Sequence, residues 1–314
     1  MGLGAARLRN WIGDGRERRM LVASCLLACA LVAPVAGLVT IAFQGSDGAF
    51  LGLDGAWSHL LAYVLPGAIA DTLILLTGVG CLVIAMGTGL AWLMTAYEFP
   101  GRRIFEWALL LPLAVPTYIV AYAYLDLLHP VGPVQGALRA LFGLTDPRAL
   151  HLPDVRSMGG CILLLSFVLY PYVFMPTRAL FLMQAGGLME AARMLGAGRR
   201  RVFFSVALPL ARPAIALGAS LALMEALNDI GASEFLGVRT LSVSIYATWV
   251  NRSNLPGAAQ IALALMALAV ALVLIERWAR RRQRYVSQTQ RAPRSRPIRL
   301  RGWALAGALS AVSL

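Results

Sequence analysis

The chain contains no lysine: all 28 of its basic residues are arginine. A phosphate-cradling P-loop requires a lysine to reach the nucleotide phosphates, so this polypeptide is not itself a P-loop ATPase. Charge of either sign is scarce, at 14% of residues, and only 15 are acidic. Cysteine is limited to Cys25, Cys29, Cys81 and Cys161, each inside an apolar run. Neither a disulfide framework nor a tetrahedral metal site has suitable spacing there, and free cysteine habitually behaves as a small core residue. The three histidines, His59, His129 and His151, are scattered between apolar runs. They form no metal-binding pattern, and no nucleophile, metal or acid/base set marks a membrane enzyme.

What is abundant is apolar residues, at 59% of the chain with a mean hydropathy of +0.71, too much for a soluble domain with a polar shell. A helix needs about 20 apolar residues to cross the ~30 Å hydrocarbon core. Six segments qualify: Met20–Phe43, Gly67–Met94, Ile104–Leu128, Met158–Phe181, Pro213–Asp229 and Gly257–Trp278. The first is longer than a signal-peptide core and lacks a small-residue cleavage site, so it reads as a retained anchor. A net charge of +13 points to nucleic acid only when arginines share a folded face. Here they occupy the gaps between apolar runs instead.

Those gaps set the orientation, because cytoplasmic loops hold the excess of positive residues. With the N-terminus inside and six alternating crossings, 23 arginines fall inside and five outside, namely Arg139, Arg148, Arg156, Arg239 and Arg252. The expected organisation is a cytoplasmic segment (1–19), a six-span domain (20–278), an arginine-rich cytoplasmic linker (279–302) and a further apolar run (303–314). The linker either obeys topology alone or binds anionic lipid. The last run is too short to span and resembles the first run's beginning, so a second set of spans is expected to follow it.

Between the fourth and fifth spans, the cytoplasmic loop 182–212 contains Glu190-Ala191-Ala192, three residues, Gly196, nine residues, Val206, one residue, then Leu208-Pro209. Glu190 to Leu195 is rich in helix formers, Gly196 permits a turn at a helix end, and Arg199 to Leu208 restarts a short helix that Pro209 ends or kinks. The expected product is a short helix parallel to the membrane, suited to insertion into a partner's groove. An ordinary interfacial loop, with Arg199, Arg200 and Arg201 on lipid phosphates, is the alternative.

This pattern resembles the coupling loop of bacterial ATP-binding-cassette (ABC) importer permeases, with Val206 in the place usually held by isoleucine. The resemblance implies an all-α, six-span MetI-like bundle in the bacterial inner membrane. It also implies a dimeric partner ATPase that binds ATP and Mg, a periplasmic substrate-binding protein, and a second permease half from the same chain or another copy. No cofactor is expected on this chain and nucleic acid is not an expected partner. Further stretches, Leu111-Pro-Leu-Ala-Val-Pro-Thr-Tyr118, Gly132-Pro-Val-Gln135, Met224-Glu-Ala-Leu-Asn-Asp229 and Ile245-Tyr-Ala-Thr-Trp249, look like the ferric-iron importer permeases, in which two six-span halves are commonly fused. Thiamine permeases share that layout, and a phosphonate importer and an ATPase-independent secondary transporter are further alternatives.

Charges inside a membrane are expensive and usually face a pathway or a partner. Glu225 and Asp229 share a helix face beside Asn228. They either contact substrate, for which ferric iron would favour such oxygen ligands, or pair with Arg239 or cap a broken helix. Asp71 reads as an N-cap residue with Thr72 beside it. Tyr118, Tyr122, Tyr124 and Asp126 line the path or, for the tyrosines, sit in the interfacial aromatic belt.

Overall fold

The computed structural model describes residues 15–43, 60–129, 131–143, 154–281 and 298–299. It is an all-α membrane bundle. Its elements in chain order are α1 (Gly15–Ala42), α2 (Leu65–Ala96, entered through a π-turn at Leu60–Val64), α3 (Arg102–Ala108), a 3₁₀ turn (Leu111–Ala114), α4 (Thr117–Leu128), α5 (Pro133–Phe142), α6 (Met158–Met194), α7 (Arg199–Val202), α8 (Leu208–Asn228), α9 (Gly231–Phe235), α10 (Leu241–Tyr246) and α11 (Leu255–Arg281). Two-residue strands β1 (Tyr97–Glu98) and β2 (Ile298–Arg299) pair in parallel.

Five of the helical stretches are long and apolar enough to cross a bilayer. The expected third span, Ile104–Leu128, is not one rod. Pro116 has no amide to donate, and the residue before a proline is pushed out of the helical region. Val115 accordingly sits at φ −104°, ψ 126°. The chain breaks there, and Arg102–Ala114 and Thr117–Phe142 lie 100° apart.

The packing shows that this broken stretch still crosses. α2 and α6 run in the same direction: Gly78 faces Ile162, Gly87 faces Val173, and Trp92 meets Phe181 edge-on at 5.7 Å. Two parallel neighbours require one crossing between them. Its rungs climb α6 from Glu106, salt-bridged to Arg178 at 2.7 Å, to the Leu109 carbonyl, which accepts from the Tyr170 hydroxyl at 2.9 Å, and Thr117 at the far end donates to Asp229 just past the end of α8. The eight residues from 178 back to 170 alone account for about 12 Å of rise. α8 is antiparallel to both, since Gly80 meets Leu223 while Gly218 meets Val173. α11 begins beside Leu65, with Ile261 in the same small cluster, and Gln260 donates to the Ala42 carbonyl at the end of α1. Six crossings follow, and residues 15 and 281 emerge at the same end as Gly196.

The core lies among α2, α6 and α8, where Leu75, Met94, Leu165, Leu169 and Phe174 are fully buried. Between lipid-solvated helices there is little hydrophobic drive, so close approach through small residues replaces it. Val173 is held this way from two sides. A Cβ on Gly87 would lie 2.7 Å from the Val173 side chain, and one on Gly218 would lie 2.6 Å from the Val173 Cα.

Two further expectations change. Cys25, Cys29 and Cys81 are exposed and only Cys161 is in the core, because apolar membrane helices direct much of their surface at lipid. Asp71 is no N-cap, since the helix begins before it; Thr72 instead donates to the Ala68 carbonyl and accepts from the Leu241 amide at 2.9 Å, tying α2 to α10. α1 lies at the edge of the bundle, packed on α11, with Leu26, Leu27 and Leu31 more than 60% exposed. His59, His151, most of the linker and the run 303–314 lie outside the described residues.

Candidate functional site

Two regions carry the residues expected to function, one at each end of the bundle. At the Gly196 end, α6 is 37 residues long, about 55 Å at 1.5 Å per residue. It therefore projects well beyond a ~30 Å hydrocarbon core. The Glu190-Ala-Ala segment belongs to this projection and is not a separate surface helix. Gly196 ends it: its φ of +81° is left-handed, and the Ala197 amide donates to the Ala192 carbonyl at 3.0 Å. That six-to-one bond is a Schellman stop, which glycine adopts without a Cβ penalty.

The chain then restarts at Arg199 and runs into the fifth span. Pro209 does not end this helix. It occupies the first turn of α8, after a π-turn over Phe203–Ala207 that takes up the missing donor. Val206 and Leu208 are half-buried, Val202 is buried, and Phe203 stacks on Trp92 at 5.1 Å. The loop is thereby fixed to the bundle while its tip stays open, with Met194 at 90% and Leu195 at 88% exposure. Ala192 packs against the core; the side chains of Glu190 and Ala191 lie outside the described residues.

At the opposite end, two chain breaks meet. α8 stops at Asn228, and the buried Asp229 accepts from the Thr117 hydroxyl at 2.7 Å, the Ser233 amide at 2.9 Å and the Ser233 hydroxyl at 3.0 Å. Asp229 thus caps α9 and fastens it to the start of α4, beside the Pro116 break. Gly231 allows this approach, since a Cβ there would lie 2.9 Å from the Tyr118 Cβ. Tyr122 packs on Phe235 at 5.9 Å, and Arg156 donates to the Phe235 carbonyl at 3.2 and 3.1 Å with its guanidinium over the ring. The sequence marked Asp229, Tyr118 and Tyr122 but missed Thr117, Ser233 and Arg156, whose partners are 112, 4 and 79 residues away.

Glu225, Asn228 and Asp229 do not share one environment. Asn228 is exposed and donates to the carbonyl of Met224 on its own helix at 2.9 Å. Glu225 lines a cavity of about 340 Å³ together with Leu113, Val115, Thr117, Val168 and Tyr172. Among the described residues neither Glu225 nor Asp229 has an ion-pair partner, and no group of three or more metal-ligating side chains is placed to hold an ion.

Comparison with known proteins adds four findings. The pattern of the family described as "Binding-protein-dependent transport system inner membrane component" matches residues 84–285. The putative 2-aminoethylphosphonate transport system permease protein PhnU of Salmonella paratyphi A is 30% identical over 277 residues, covering 86% of this chain and 93% of that protein. The molybdenum transport system permease protein ModB of Escherichia coli K12 is 33% identical over 201 residues, 61% of this chain and 83% of that one. In fold, the chain resembles a bacterial alginate ABC transporter, crystallised in complex with an alginate pentasaccharide-bound periplasmic protein, with a TM-score of 0.68 at 19% identity over 90% of this chain and 99% of that one.

Proposed function

The chain belongs to the binding-protein-dependent transport system inner membrane components, the permeases of ABC importers, and on that premise we propose that loop 182–212 docks a separate ATPase dimer. In this reading the N-terminus and the Gly196 end are cytoplasmic, in keeping with the arginine distribution. A periplasmic binding protein delivers cargo to the Asp229 end, and a second permease half completes the path. The observation that carries the docking role is the Schellman stop at Gly196, which holds two large apolar side chains, Met194 and Leu195, almost wholly in the open. Exposed apolar anchors on a rigid helix end suit a partner's groove.

The test is the full transporter in nanodiscs. Leu195→Asp touches nothing that stabilises the bundle, so insertion should be retained. Copurification of the ATPase should fall by about tenfold or more, the loss expected of a buried apolar anchor. Unchanged copurification and uptake would refute the docking role.

Of the cargoes left open by sequence resemblance, which were ferric iron, thiamine and phosphonate, the relatives favour an aminophosphonate. PhnU is named for 2-aminoethylphosphonate and matches most of the chain, whereas ferric iron appears in the name of neither relative. Uptake of labelled 2-aminoethylphosphonate that depends on ATP and the binding protein supports this cargo; uptake of ferric iron in its place refutes it.

A further inference from the structure

We infer that the cavity between the Pro116 break and helices α6 and α8 is a cation-accepting station on the transport path, with Glu225 as the residue that recognises a positively charged group on the cargo. The inference rests on the permease reading and deepens it by naming the chemical class the path selects. Its walls come from three crossings: Leu113, Val115 and Thr117 from the broken third, Val168 and Tyr172 from the fourth, and Glu225 from the fifth. Apolar side chains outnumber polar ones among the lining residues, six to three. Of its polar side chains, the Thr117 hydroxyl is committed to Asp229. Among the described residues Glu225 is the one acidic side chain lining the cavity, no arginine lines it and no basic group neutralises it.

An unpaired carboxylate in a membrane-spanning segment is costly unless it faces water or a partner. Glu225 is exposed to the cavity while Asp229, just past the end of the helix, is consumed by three hydrogen bonds. The two carboxylates therefore divide the work, one positioning the backbone and the other remaining free. In a space of this size, a fixed negative charge with no basic partner favours an ammonium group and opposes a bare oxyanion. An aminophosphonate meets this requirement through its amine, while sulfate or molybdate does not.

The experiment uses the complete transporter with its ATPase and binding protein in vesicles. It compares uptake of 2-aminoethylphosphonate with that of ethylphosphonate, which lacks the amine, in the native protein and in Glu225→Gln. Glutamine keeps the size and removes the charge. The native protein should prefer the amine-bearing solute, and Glu225→Gln should erase that preference by about tenfold or more, the scale of one charge-assisted hydrogen bond, with ATPase copurification unchanged. A preference that survives in Glu225→Gln overturns the inference.

If neither phosphonate enters, the cargo reading fails by itself, and the same vesicles are offered ferric iron, thiamine, sulfate and molybdate. Import of a cationic solute that slows in Glu225→Gln upholds the station. Import of a bare oxyanion, or of any cargo indifferent to the substitution, overturns it. Loss of ATPase copurification in the native protein would instead strike the permease reading.

Discussion

Replacing Asp229 with alanine should unfasten the short helix α9 from the start of α4 without disturbing the main core. The carboxylate accepts three hydrogen bonds, from the Thr117 hydroxyl and from the amide and hydroxyl of Ser233. Bonds to a charged acceptor contribute about 1.5–3 kcal/mol each, and the donors left behind are partly or wholly buried. Some recover water or local carbonyls, so we expect a net loss of about 3 kcal/mol rather than the full sum. Every 1.4 kcal/mol is tenfold, so the local opening equilibrium should rise by roughly a hundredfold. A probe is already in place: Cys161 is fully buried, with its Sγ 3.9 Å from the Ser233 hydroxyl. With the exposed Cys25, Cys29 and Cys81 replaced by alanine, maleimide labelling of Cys161 reports opening of α9. Labelling should accelerate strongly in Asp229→Ala and only modestly in Asp229→Asn, which keeps one acceptor oxygen. Equal labelling rates in the native and alanine proteins would show that the carboxylate does not hold this junction.

Two further expectations concern packing and orientation. Gly218→Leu should abolish a monodisperse detergent-solubilised protein, because its Cβ meets backbone atoms of α6 that cannot give way, whereas Gly89→Leu, with nothing within 4 Å of its Cβ, should be tolerated; size-exclusion profiles decide between them. Reporter fusions after Gly48 and Ser253 should read periplasmic and those after Arg199 and Arg284 cytoplasmic, and a periplasmic signal at Arg199 would overturn the orientation.

The spans were legible because crossing a bilayer imposes a length and an apolar composition that few other segments satisfy. Four of the six expected segments match helices that run a few residues longer, since polar ends such as Gly15–Arg19 and Arg277–Arg281 continue a helix into the headgroups. The fourth overran through the Glu190-Ala-Ala segment because no proline lies between Phe181 and Met194, and the helix continues through Gly186-Gly187 as far as Met194. The third failed as a rod for a reason also in the sequence: Pro112 and Pro116 flank a stretch whose hydropathy alone hides the break. Gly196 was legible, as only a left-handed position follows from its place at a helix end. The division between Glu225 and Asp229 was not, because four-residue spacing puts both on one face of a continuous helix, whereas the helix ends at Asn228 and Asp229 turns to Ser233 and to its distant partner Thr117.

The position of the cavity and the position of the broken span have one cause. In hydrocarbon every backbone polar group needs an internal partner, so irregular backbone at membrane depth is stable only where protein buries it or where it lines a cavity. The break between α8 and α9 takes the first course, closed over by Asp229, Thr117 and Ser233. The break at Val115–Pro116 takes the second and lines the space that Glu225 faces. Since Thr117 belongs to both, a shift of α9 on engaging a partner at that end would be carried by Asp229 into the cavity wall. The hydrogen bond that stabilises the junction thus also ties α9 to the cavity wall.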